Sequence, residues 1–117
     1  MRNPVVAIVI LNYNGRKFLE KFLPSVLAST YPNFKVVVAD NGSTDDSVVF
    51  LQSVYPTIEL NQLGQNYGFA EGYNQALLNR QEDYFVLLNS DVEVTVGWME
   101  PIINLMETNS KLAICSL

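Results

Sequence analysis

Two aspartates each close an apolar run: Asp40 follows the segment Lys35–Ala39, and Asp91 follows Tyr84–Ser90. A carboxylate in such a place can ligate a hard cation or accept from the N–H edge of a nucleobase. Runs of this kind read as parallel strands buried on both faces. Ligands of an open α/β sheet sit just outside the carboxyl ends of its strands, so both carboxylates are candidates for ligand or metal contact.

Each aspartate belongs to a cluster. In the segment 36–47, Asp40 precedes Asn41, Gly42 and an expected helix start, which would set a carboxylate beside backbone N–H donors. The same residues fit a tight strand-to-helix turn that Asp40 merely caps, and the sequence does not choose. In the segment 87–93, Asn89 and Asp91 are two apart in an extended stretch and can point oxygens the same way. Magnesium and manganese take such oxygens, usually one or two carboxylates completed by substrate phosphates and water. Glu93 continues the alternation and could join through water; the competing reading is a solvated acidic turn.

A third cluster, 66–74, has glycines at 64, 68 and 72 among polar neighbours. That polarity rules out membrane-helix packing, and the spacing is not the G-x-G-x-x-G of dinucleotide sites. Gly68 and Gly72 read as places where backbone approaches a ligand or a neighbouring element. Asn74 falls on the first or second helical turn, facing either the ligand edge or solvent.

The elements that must position these residues follow from periodicity. Strands are expected at Val5–Leu11, Lys35–Ala39, Thr57–Asn61 (near a sheet edge), Tyr84–Asn89 and Leu112–Ser116. The spacing of Phe18, Leu19, Phe22, Leu23, Val26 and Leu27 predicts a helix from Arg16 to about Ser29 with one buried face, kinked or interrupted by Pro24. Further helices are expected from the Asn41–Thr44 segment to about Val54, with Ser43 and Asp46 as a capping box, at Phe69–Asn79 and at Gly97–Glu107. Alternating strands and helices predict an α/β fold, a mostly parallel Rossmann-like sheet with helices on both faces. The chain stops within or just after a strand, so a fragment of a longer protein, truncated at its C-terminus, is expected.

Composition narrows the function. At 117 residues, 49% hydrophobic and 16% charged, the chain suits one domain with a substantial core. A net charge of −5 with scattered basic residues argues against nucleic acid or an anionic membrane surface as partner. An acidic protein holding a phosphate needs backbone N–H groups, helix N-termini or a bridging cation. With no histidine, Ser-His and Cys-His nucleophile systems and His-ligated zinc are excluded. Cys115 is alone and reads as a buried thiol. The first apolar run is too short for a signal or membrane segment, so a soluble, cytoplasmic protein is expected, with any attachment to the inner membrane face encoded beyond residue 117.

The succession Ile10–Gly15, Val38–Asp46, Asn66–Asn74 and Leu88–Glu93 resembles the family 2 glycosyltransferases, closest to the rhamnosyltransferase-like branch with its Leu-Asn-x-Asp motif. The four motifs occur in this order and cover residues 5–93. The resemblance implies the N-terminal, nucleotide-sugar-binding part of a GT-A fold. It implies inverting transfer of a sugar from a nucleotide-diphosphate donor to a glycan or lipid-linked acceptor, as in cell-surface polysaccharide biosynthesis. It assigns donor contacts to Asn12, Tyr13, Asn14, Asp40, Asn41, Gly42, Asn66, Gly68, Asn74 and Asn89, and a divalent metal, Mn2+ or Mg2+, to Asp91. Asn89 stands where the family often has the first Asp of Asp-x-Asp, and Tyr73 where many relatives carry Arg.

Such transfer needs a general base, a carboxylate in a histidine-free site. After Asp91 only Glu93, Glu100 and Glu107 remain; the last two read as helix-surface residues and Glu93 lies too near the metal position. The base is therefore expected past Leu117, and no catalytic residue is assigned within the chain. The alternatives are a non-catalytic nucleotide- or sugar-binding domain or inactive fragment and, more distantly, a receiver-like module. That module needs an acidic cluster where this chain has Asn12, Tyr13 and Asn14.

Overall fold

The computed structural model describes residues 3–109. The elements are β1 (Val6–Asn12), α1 (Arg16–Leu27), β2 (Phe34–Asp40), α2 (Ser47–Val54), β3 (Glu59–Gln62), α3 (Phe69–Leu77), β4 (Tyr84–Asn89) and α4 (Met99–Thr108). Among the described residues the strands form one sheet in the order β3-β2-β1-β4, every pair parallel. The two central strands are the continuous apolar runs, with Val6–Ile10 and Val36–Ala39 buried throughout. The expected strand Leu112–Ser116 and Cys115 lie outside the described residues.

Alternation along the strands feeds two cores. Val6, Ile8, Ile10, Val36, Val38 and Leu88 face α1, α2 and α4, meeting Leu19, Leu23, Val26, Leu51, Met99 and Ile103. Ala7, Val9, Val37 and Ala39 face α3, meeting Tyr73 and Ala76. The chain steps outward from β1 to β3, then returns across the other face through α3 to β4. Strand order therefore reverses between β1 and β4, and a crevice opens beyond their carboxyl ends.

Three expectations need correction. Helix α1 runs unbroken past Pro24 to Leu27, and its apolar stripe is wider than its buried face: Leu19, Leu23 and Val26 are buried, but Phe18 is 47% exposed and Leu27 37%. Helix α2 starts at Ser47, not near Ser43, and no side-chain bond caps it. The capping box fails because Ser43 is committed elsewhere: its Oγ–H and N–H go to the Asp40 carboxylate at 2.7 and 3.0 Å. Strand β3 begins at Glu59, not Thr57, and takes the sheet edge as expected.

At the amino edge of the sheet, Arg80 lies between Glu59 (2.6 Å) and Glu82 (3.0 Å), and Lys35 reaches Glu82 at 3.1 Å. The Arg80 hydrogen bonds hold Glu82 down to about 2 and Glu59 below the usual carboxylate range. The same bonds raise the Arg80 guanidinium further.

Candidate functional site

The loops after β1, β2 and β3 are tied together by amide and hydroxyl side chains. Asp40, 3% exposed, accepts from Asn12 Nδ2 at 3.1 Å as well as from Ser43. Asn14, at φ 51°, accepts through Oδ1 from the N–H groups of Thr44 (2.7 Å) and Asp45 (3.1 Å), while its own N–H donates to Ser43 Oγ. Asn41 donates to Asn66 Oδ1 and the Gly68 carbonyl, and accepts from the Tyr67 N–H at 2.9 Å. These bonds satisfy backbone groups that a loop would otherwise leave to water.

Asp45 closes the same turn. Burial acts to raise its carboxyl, but bonds from Ser47 and the Arg16 N–H outweigh that and hold it below its ordinary value. Two glycines allow the close packing. Gly42 has φ +78°, and a Cβ there would stand 2.7 Å from the Gln65 carbonyl carbon. A Cβ on Gly72 would meet the Leu11 side chain at 2.9 Å, where α3 crosses β1.

In front of this scaffold lies an open cavity of about 440 Å³. Asn89, Ser90 and Asp91 form one wall, Asn41, Asn66 and Gly68 another, and Leu11, Tyr13, Phe18 and Phe69 the apolar remainder. The Asp91 carboxylate is exposed and has no hydrogen bond or ion pair within the described residues. A depression of similar volume, about 430 Å³, sits at the amino edge, but its charged groups Lys35 and Glu59 are already paired. Chemistry, not size, distinguishes the two.

Of the residues assigned to donor contact, Tyr13, Asn41, Asn66, Gly68 and Asn89 line the cavity together with Asp91. Asn12, Asn14, Asp40 and Gly42 do not; their side chains or backbone hold the loops behind it. The two aspartates thus serve one edge without sharing one wall. Asn74 also lies off the cavity, exposed on α3 with its amide turned to Glu71. Ser90, Phe18 and Phe69 also line the cavity; none was expected at a site, and Phe18 was expected on the buried face of α1. For the two phenylalanines a signal existed: each stands within a few residues of a glycine or asparagine that shapes the edge.

Tyr73 is the other residue that was underrated. Its buried hydroxyl donates to the Leu88 carbonyl at 2.9 Å. Burial pushes that hydroxyl above the ordinary phenol value, partly opposed by the Leu11 N–H.

Among the described residues no three His, Cys, Asp or Glu side chains converge to hold a metal ion by themselves. The cavity does collect hard oxygen groups, a carboxylate, an amide and a hydroxyl, on the consecutive residues Asn89, Ser90 and Asp91. That set fits a cation that brings most of its ligands with it as water and phosphate oxygens. Among the carboxylates past Asp91, Glu100 and Glu107 are bonded to Thr30 and Tyr84, at the helix α4 surface. No helix among the described residues is long and apolar enough to cross a membrane.

Solved proteins share this fold, and curated proteins are similar in sequence. A Staphylococcus aureus TarS structure in complex with UDP-GlcNAc superposes with a TM-score of 0.78 at 21% identity, over 91% of this chain and 32% of that one. A mannosyltransferase from Pyrobaculum calidifontis in complex with GDP-Man and Mn2+ gives 0.67 at 25% identity, over 80% and 29%. The N-acetylglucosaminyl-diphospho-decaprenol L-rhamnosyltransferase of Mycobacterium tuberculosis is 27% identical over 86% of this chain and 36% of its own length. The chain spans 35% of the length of one further curated relative and 45% of another. The fold is thus that of the GT-A glycosyltransferases, and the family model described as glycosyl transferase family 2 matches residues 7–117: the chain belongs to that family.

Proposed function

We propose that the chain is the donor-binding part of an inverting, metal-assisted glycosyltransferase that moves a sugar from a nucleoside diphosphate to an acceptor hydroxyl. One observation carries the reading: a carboxylate without a partner among the described residues, Asp91, on the wall of the cavity at the point where strand order reverses. The neighbours that hold UDP-GlcNAc, or GDP-Man with Mn2+, support it.

Each part of the site has a task. Tyr13 offers an exposed ring for a base or sugar face. Asn41 and Asn66 hold the Tyr67–Gly68 turn against the cavity. Asp40 and Asn12 act at one remove, fixing the Ser43 turn. Asp91, with Asn89, would hold Mn2+ or Mg2+. The bound ion would supply Lewis-acid neutralisation of the leaving diphosphate. It also reconciles an anionic donor with a chain of net charge −5. The general base is assigned to sequence beyond residue 117, because Glu93 lies too near the metal position and Glu100 and Glu107 are engaged at the surface of α4.

Calorimetry against UDP- and GDP-sugars, with and without Mn2+, tests the reading. Metal-dependent donor binding with little or no sugar transfer is the expected result. Rapid transfer by the 117 residues alone would overturn the placement of the base. Absence of any nucleotide binding would overturn the site.

A further inference from the structure

The Asn-x-Asp wall poses a chemical question. An amide has one oxygen and one nitrogen, and only the oxygen can ligate a cation. Something must decide which of them Asn89 shows to the cavity. Strand alternation places Asn89 on the α3 face of the sheet, opposite to Leu88. The ladder between β1 and β4 ends at the pair Leu11 and Asn89, after which the chain turns out through Ser90 and Asp91. From α3, the Tyr73 hydroxyl reaches the β4 side of this last anchored position.

The Tyr73 ring is buried and packed edge-on against Phe69, with centroids 5.1 Å apart at 79°. Its hydroxyl carries a single proton, which is spent on the Leu88 carbonyl at 2.9 Å. The Asn89 amide is set with Oδ1 toward the same hydroxyl, as a second and marginal acceptor of its proton at 3.5 Å. With its proton committed, the Tyr73 oxygen keeps lone pairs and can only accept from Asn89. A half-turn of the amide meets that demand, setting Nδ2 toward Tyr73 and Oδ1 toward the cavity.

We propose that Tyr73 is a positioning residue for the cation wall: its hydroxyl tethers the end of β4 through Leu88 and turns the Asn89 amide so that its oxygen faces the cavity beside Asp91. The inference rests on the donor-binding reading above and deepens it. It also says what an Asn needs in this place that an Asp does not. A carboxylate presents an oxygen either way round, whereas an amide needs a partner for its nitrogen.

Tyr73→Phe keeps the ring and removes the tether. In the metal-free protein, amide hydrogen exchange at Asn89, Ser90 and Asp91 should quicken by about tenfold, while the β1 and β2 amides stay protected. Affinity for UDP or GDP in the presence of Mn2+ should fall by about tenfold, with metal-free affinity held within about twofold. A merely structural role would lower both affinities together, and that result overturns the proposal. The decisive rescue is Tyr73→Phe combined with Asn89→Asp, which should restore the Mn2+-dependent part because the second oxygen needs no orienting. Failure of that rescue also counts against it. If the parent chain shows no Mn2+-dependent nucleotide binding, the donor-binding reading fails first. The exchange measurement then still judges the tether, and unchanged exchange at Asn89–Asp91 refutes it.

Discussion

The two ends of the sheet treat charge in opposite ways. At the amino edge Arg80, Lys35, Glu59 and Glu82 close on one another within 2.6–3.1 Å. At the carboxyl edge Asp40 is satisfied by neutral donors, Asn12 and Ser43, and Asp91 meets no cation within the described residues. Both ends are built from strand termini of the same sheet and each opens on a cavity of similar size. The difference lies in completeness: one end answers its own charges and contributes to stability, the other leaves an oxygen wall for something brought from outside. On the function proposed above, binding follows the unanswered charge.

The comparison breaks most sharply at Asp91. Asp91→Asn should lower Mn2+-dependent affinity for a nucleotide-sugar by about 100-fold, or about 3 kcal/mol, and leave the urea midpoint where it was. An exposed carboxylate without partners among the described residues has little to give the fold. Calorimetry paired with urea titration reads both quantities, and a shifted midpoint would place Asp91 among the structural charges.

Asp40→Ala should do the reverse in proportion. Removing a buried acceptor strands the Asn12 amide and the Ser43 hydroxyl and N–H, at a cost of about 1–3 kcal/mol in stability. Nucleotide affinity should weaken with or without metal, because the Ser43 turn loosens. If only the metal-dependent part changes, Asp40 acts on the cation and the division between the two carboxylates is wrong.

The central strands were legible because Val6–Ile10 and Val36–Ala39 are apolar without interruption, a pattern that burial on both faces requires. The start of α2 was not. Ser43 followed by Asp46 is a helix signal locally, and what defeats it is Asp40 and Asn14, the latter 29 residues before Ser43. Asparagines were misjudged in the same way: an amide that clamps a loop, such as Asn14, looks identical in sequence to one that faces a ligand. Periodicity likewise reports which face of α1 is apolar and not how deep it sits, so Phe18 was assigned to the core and lies on the cavity wall. Position along the sheet could be inferred from residue types; commitment of side chains to partners far away in sequence could not.

At the amino edge, Arg80→Met should cost about 1–2 kcal/mol of stability, between the ranges for exposed and buried pairs. Arg80 is mostly buried and bonds two carboxylates at once, but Glu59 is half-exposed. Nucleotide affinity should not change, since no group of this network reaches the cavity. A parallel loss of affinity would mean that the two ends are mechanically coupled through the sheet.

The smallest effect is also the most diagnostic of how the amino edge works. Glu82 is held down to about 2 and Glu59 is lowered as well, chiefly by hydrogen bonds from Arg80. A carboxylate whose native pKa lies below its unfolded value binds fewer protons in the folded state, so its contribution is fully present above the unfolded value, about 4.3. It declines as pH falls from there toward about 2, where Glu82 finally protonates in the native state. Urea midpoints measured from pH 6 down to 2.5 should therefore fall less steeply in Arg80→Met than in the parent, with the two curves converging at the acid end. Asp45, lowered by its own bonds to Ser47 and Arg16 despite burial acting the other way, keeps a residual slope in both proteins. Curves that stay parallel throughout would show that Arg80 contributes by packing rather than by charge, and the contrast between the two edges would then rest on the carboxyl end alone.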